Sequence, residues 1–241
     1  MWKKFIPLVF VVLIILILTV YRLNIFTIKK VDIESINVSC ADQNQLKNSS
    51  GLLGQNFFMI DYLKTENILK KKFVCIKSVA VSKILPDKVR LEIQNRQALA
   101  VLASLKNEAS ISATPSAFDV REYELIDNEG VIFGKASNNL NLPQIFVYNS
   151  KDNIQSALKI LEKLKTLGLE INESSLVDKV FVINASSAVP RISFLLDNNI
   201  DIQLASLQLI LDKAKIDSGM LEFIDLRFDK PVIKFAPKKK N

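Results

Sequence analysis

Residues 5–21 read FIPLVFVVLIILILTVY, an uninterrupted apolar run without a charge. A helix of about 17 residues spans roughly 25 Å, near the lower limit for crossing a bilayer. Trp2 and Tyr21 stand where aromatic interface anchors belong, and Pro7 is tolerable near a helix start. The run predicts one transmembrane helix over residues 5–22 behind a short tail, residues 1–4. A cleaved signal peptide is the rival, with Lys3 and Lys4 as its basic start. The apolar run is long for a signal core, however, and Arg22-Leu23-Asn24-Ile25-Phe26 offers no small-x-small cleavage pattern. Lys3 and Lys4 oppose Arg22, Lys29 and Lys30, so local charge does not decide which end faces the cytoplasm.

The chain has 241 residues, 49% hydrophobic and 24% charged, a globular composition. Beyond the apolar run there is room for one large domain or two small ones. Val and Ile are plentiful and Gly is scarce, which favours strands. Histidine is absent, which removes the commonest general base, zinc ligand and partner of a nucleophilic Ser or Cys. The net charge of +7 favours anionic partners, although the lysines are mostly scattered, with short runs at 70–72 and 238–240. No aromatic interleaving suggests a base-stacking platform. Cys40 and Cys75 are too few for a disulfide scaffold or a zinc cage. With no distance between them legible, two buried or free thiols are expected in preference to a bridge.

Residues 31–38 (VDIESINV) alternate as a strand. Asp42 is placed to cap a short helix through Leu46, and Thr65 one over Ile68, Leu69 and Phe73 with Lys70, Lys71 and Lys72 at its C-terminus. Val79 and Val81 alternate, Leu85-Pro86-Asp87 turns the chain, and Val89, Leu91 and Ile93 alternate again. The order strand, helix, helix, strand, strand fills roughly 70 residues, the size of a small independent module.

From Ala98 onward a strand is expected over 99–103 and a long polar loop over 104–121. The Asp127-Asn128-Glu129-Gly130 turn lies between strands at 123–126 and 131–133. Asp152 is placed to cap a helix carrying Ile154, Leu158, Leu161 and Leu164 on one face and ending at Gly168. Strands at 179–183, 191–196 and 200–204 follow, then a helix over 206–214 and strands at 221–228 and 232–235. Short strands joined by tight turns imply an antiparallel sheet with helices on one face.

Several local patterns resemble the bacterial cell-division family FtsQ, called DivIB in Gram-positive bacteria. Residues 54–61 (GQNFFMID) resemble its segment between the two helices, residues 79–89 (VAVSKILPDKV) its hairpin, and residues 125–133 (LIDNEGVIF) its L-V-D-x-x-G-x-V-F hairpin. Leu142-Pro143 resembles its L-P step and Ile224-Asp225-Leu226-Arg227-Phe228 its late D-L-R strand. Residues 93–98 (IQNRQA) resemble its V-x-E-R-x-P-V segment, with Asn95 in place of Glu and the Pro missing.

The resemblance implies an α+β chain. Its parts are an N-terminal transmembrane helix, a POTRA module (β-α-α-β-β) over 28–97, a mainly antiparallel β domain with two helices over 98–236, and a basic tail over 237–241. It implies no catalysis and no cofactor. It implies a scaffold at the division septum, N-terminus in the cytoplasm and domains outside. Its expected partners are FtsB- and FtsL-like coiled-coil membrane proteins, and its expected role is to help control septal peptidoglycan synthesis. The contact residues it implies are Phe223, Leu226, Arg227, Phe228, Val232, Ile233 and Phe235, with alternate residues of an edge strand filling pockets and Arg227 anchoring an acidic group. Deleting residues 221–241 is then expected to abolish partner capture. Two other readings are an envelope assembly or transport scaffold that borrows a POTRA module, and a Ser/Lys envelope hydrolase, for which no S-x-x-K stands in a convincing setting. Asp119, Glu122, Glu124, Asp127 and Glu129 form an acidic cluster that reads as a solvated turn.

Overall fold

The computed structural model describes residues 11, 14–15, 26–35, 40–105, 120–136, 141–148, 152–185, 191–197, 199–217 and 221–235. The chain divides into two compact units, Met1–Arg96 and Gln97–Asn241. Apart from Val11, Ile14 and Ile15, which are helical, the expected membrane helix and the tail before it lie outside the described residues. So do the tail at 237–241 and residues 106–119 of the expected polar loop. No helix among the described residues is long and apolar enough to cross a membrane.

The first unit is built from β1 (Lys30–Ser35), α1 (Gln43–Ser50), α2 (Tyr62–Lys72), β2 (Ile76–Ile84) and β3 (Lys88–Asn95). β3 lies in the centre of the sheet, parallel to β1 and antiparallel to β2. Its period of two sends Val89, Leu91 and Ile93 into the core. Leu46 and Leu69 of the two helices, and Leu52 and Phe57 of the segment between them, are buried too.

Three expectations for this unit need correction. Thr65 does not cap α2. Asp61 does, its carboxylate accepting the Lys64 N–H at 3.0 Å. Thr65 lies buried within the helix and donates its hydroxyl to the Asp61 carbonyl at 3.1 Å. α1 does not stop at Leu46. Asp42 occupies its N-cap position without a side-chain cap bond, and the helix continues until Gly51 turns left-handed at φ 64°. Cys40 and Cys75 are joined in a disulfide, their Cα atoms 6.4 Å apart. One precedes α1 and the other precedes β2, and the packing of helix on sheet brings these two element starts together across a sequence separation of 35.

The second unit holds a nine-stranded sheet. Its strands are β4 (Ala100–Leu105), β5 (Val120–Ile126), β6 (Ile132–Lys135), β7 (Gln144–Tyr148), β8 (Ile171–Val177), β9 (Val180–Ala185), β10 (Arg191–Leu195), β11 (Leu221–Asp225) and β12 (Val232–Phe235), in the order β12-β11-β10-β9-β8-β7-β4-β5-β6. Two helices, α3 (Ile154–Thr166) and α4 (Ile200–Asp217), share one core with the sheet: Leu158, Leu161, Leu164, Leu207 and Leu211 pack with Leu102, Ile145, Phe181, Ile192, Phe194 and Ile224. A small cluster of Ala103, Leu105 and Phe146 with Tyr123 and Tyr148 gathers separately.

The sheet is mixed rather than uniformly antiparallel. β7 runs parallel to β8 with α3 between them, β10 runs parallel to β11 with α4 between them, and β4 is parallel to β7. A crossover helix between sequential strands allows the parallel pairings. This explains why 200–204 is helix although Ile200, Ile202 and Leu204 alternate as in a strand. The Asn199 side chain accepts the N–H groups of Asp201 and Ile202 at 3.1 and 3.4 Å, as an N-cap does. The Gln203 side chain then ties the new helix to both backbone groups of Leu195. Residues 104–105 and 120–121 of the expected loop belong to β4 and β5. The N-cap position of α3 is Asn153, not Asp152.

Candidate partner-docking edge

Core residues set the position of the last two strands. Leu221, Ile224 and Leu226 are buried, and the Leu226 N–H donates to the Ser193 carbonyl at 2.8 Å. β11 is thereby held against β10. β12 returns antiparallel to it with Ile233 opposite Ile224, Val232 opposite Asp225 and Phe235 opposite Leu221. Lys234 reaches Glu222 at 2.8 Å.

The bend between these strands is fixed by one acid. Asp225 Oδ1 accepts the backbone N–H of Arg227 at 3.1 Å and its Nε at 2.9 Å, while Oδ2 accepts Nη2 at 2.6 Å. Burial would raise the Asp225 carboxyl, but the Arg227 hydrogen bonds and the nearby guanidinium charges outweigh it and hold it below its ordinary value. The side-chain hydrogen bond to Asp225 in turn lifts Arg227 above its own ordinary value, against burial. The guanidinium also lies 5.6 Å from the centre of the Phe228 ring.

β12 closes one end of the sheet order. Its outward backbone groups therefore have no strand partner among the described residues. Edge strands are ordinarily blunted by charge, shortness or proline. β12 is short, follows Pro231 and carries Lys234, yet three of its four side chains are apolar and exposed: Val232 by 47%, Ile233 by 37% and Phe235 by 53%. Phe228 beside them is 58% exposed. At the opposite end of the sheet, Ile132 and Phe133 of β6 are partly buried.

Of the sequence-predicted contact residues, Phe228, Val232, Ile233 and Phe235 form this exposed group. Phe223 is partly buried in β11. Leu226 lies in the core at 1% exposure. Arg227 is partly exposed, but its guanidinium fork is occupied by Asp225. Asp225, which belongs to the D-L-R pattern, is not among the predicted contact residues; its signal is an acid two residues before an arginine at a bend. The acidic cluster near the β5–β6 turn is structural where it is described. Asp127 is buried and accepts the N–H groups of Glu129 and Val131, and Glu122 pairs with Lys135 at 3.6 Å.

The first unit, with strand order β1-β3-β2 and two helices between its first and second strands, has the architecture of a POTRA module. More particularly, residues 26–96 match the family model described as POTRA domain, FtsQ-type. The match covers under a third of the chain and supports the FtsQ/DivIB resemblance. That family is a non-catalytic scaffold family, and the domain suggests a scaffold role in the division machinery. No curated protein matches the chain.

Proposed function

We propose that this chain is a non-enzymatic divisome scaffold. A single N-terminal helix anchors it in the cytoplasmic membrane with both folded units outside. There it captures FtsB- or FtsL-like coiled-coil membrane proteins along β12 and so helps control septal peptidoglycan synthesis. The observation that carries the reading is the apolar β12 edge, which has no strand partner on its outer side among the described residues, in a chain with an FtsQ-type POTRA domain. Strand addition would satisfy the outward backbone groups, while Phe228, Val232 and Phe235 supply apolar contact.

Removing residues 221–241 would test this poorly, because it also strips Leu221, Ile224 and Leu226 from the core. Val232→Asn and Phe235→Asp change exposed positions, and neither puts an acid opposite Asp225; such a surface substitution ordinarily shifts stability by about 0.5 kcal/mol or less. With the tagged full chain in its own host, either change should reduce co-purification of the coiled-coil partner at least several-fold at unchanged melting temperature. Undiminished capture by the double variant would refute the edge as the docking site. Imaging separates the role from the fold: a mid-cell band before constriction supports a divisome scaffold, and a uniform envelope signal favours an envelope assembly scaffold.

A further inference from the structure

The first unit gathers a second set of exposed apolar side chains at one end. Phe58 is 62% exposed, Met59 82%, Leu63 72% and Leu85 66%. A core-facing role is excluded for side chains so open, and four at one end of a small module exceed the scattered exposure of an ordinary surface.

Hydrogen bonds fix where this end lies. The Phe57 N–H donates to the Phe26 carbonyl at 2.8 Å, the Ile28 N–H to Gln55 and the Gly54 N–H to Ile28, both at 3.0 Å. The Phe26 and Phe58 rings meet edge to face at 5.0 Å. The Lys29 N–H donates to the Asp87 carbonyl at 2.9 Å, which brings the Leu85–Asp87 turn to the same end. Lys83 lies over the Tyr62 ring at 5.2 Å, which brings the first turn of α2 there too. This is the end at which the chain enters the unit. Phe26 follows Tyr21, the last residue of the apolar run, by five positions, and five extended residues reach at most about 17 Å.

We propose that the chain-entry end of the POTRA unit rests on the outer face of the bilayer, with Phe58, Met59, Leu63 and Leu85 in the boundary between headgroups and acyl chains. The inference rests on the N-terminal helix being a membrane anchor. The short tether holds the patch within reach of the interface, and a flexible thioether and an aromatic ring suit that boundary. Lys29, Lys30, Lys64, Lys83 and Lys88 stand at this end with Asp32, Asp61 and Asp87; Lys29 pairs with Asp87 and Lys88 with Asp32. Lysine is in excess, which favours anionic headgroups. Val74, 47% exposed, follows α2 beside the far end of β3, where the Arg96 side chain donates to its carbonyl. β3 separates the two ends by roughly 20 Å.

The test uses tryptophan emission in vesicles of phosphatidylethanolamine and phosphatidylglycerol containing lipids brominated high on the acyl chain. In the wild-type full chain Trp2 is the sole tryptophan and reports the anchor. A Trp2→Phe, Phe58→Trp chain reports the patch, and Trp2→Phe, Met59→Trp serves should the first disturb the stacking on Phe26. Trp2→Phe, Val74→Trp reports the far end. The expected result is strong quenching of Trp2 and of the probe at position 58 or 59, with the probe at position 74 unquenched. If Trp2 is quenched while the patch probe emits as in water, the anchor stands and the proposal is overturned; this is also the result if a protein covers the patch. Equal quenching at both ends of the unit overturns the proposed orientation. Unquenched Trp2 removes the anchor and the proposal with it.

Discussion

Asp225 holds Arg227 through both carboxylate oxygens while also accepting its backbone N–H, so one side chain closes the bend that delivers β12 to the edge of the sheet. Asp225→Asn would leave a guanidinium without its counter-charge and should cost about 1.5–3 kcal/mol. Because the folded carboxyl sits below its ordinary value, its stabilisation is fully present above the unfolded pKa of about 3.9 and disappears as pH falls through the folded value. Urea unfolding of wild type and variant should therefore show a gap at pH 7 that closes in strong acid. A gap independent of pH would contradict the ion-pair account.

The Cys40–Cys75 bridge closes a loop with a sequence separation of 35, for which chain entropy sets a stabilisation of about 4 kcal/mol or less. Cys40→Ser should lower the unfolding free energy of the first unit to a similar extent as Cys75→Ser, and the double variant should add little. Alkylation of the denatured, unreduced wild-type protein should label neither cysteine.

Gly130 adopts φ +80°, and a Cβ there would meet Gln155 Cγ of α3 at 3.3 Å. Gly130→Ala combines left-handed strain with this close approach and should destabilise the second unit by more than about 1 kcal/mol. Gly54, at the same φ but in open space, should cost less on the same change. Thermal melts of the two variants compare them directly.

Asp61→Ala removes the side-chain cap of α2 and should cost about 1 kcal/mol, whereas Asp42→Ala, at a cap position without a side-chain bond, should cost clearly less. Equal losses in chemical denaturation would contradict this assignment of the caps.

The parts of the fold legible in the sequence were those with a local cause. The β2–β3 and β5–β6 hairpins carry turn residues between alternating runs, and the apolar face of α3 repeats at helical spacing. β8 was not legible because its centre, Asn172-Glu173-Ser174-Ser175, is polar. It becomes a strand by lying between β7 and β9, with the buried Ser174 hydroxyl donating to the Gln144 carbonyl at 3.0 Å. Residues 200–204 alternate like a strand, and only the crossover from β10 to β11 makes them helical. At the candidate edge, Val232, Ile233 and Phe235 were readable as a strand. The burial of Leu226 and the pairing of Arg227 depend on β10 and Asp225, which periodicity does not reveal.

The parallel pairing of β1 with β3 has a mechanical consequence. The chain enters the unit at the start of β1 and leaves after the end of β3, and the two strands point the same way in register from Lys30 opposite Lys88 to Ser35 opposite Ile93. Tension applied between the residues entering β1 and those leaving β3 would slide these strands past one another along their length. The rungs would then bear the force together instead of opening one at a time. The Cys40–Cys75 bridge diverts the same tension around both helices. Pulled from its two ends, the unit should hold its length up to one abrupt rupture, and so pass a pull on to whatever follows it rather than absorb it.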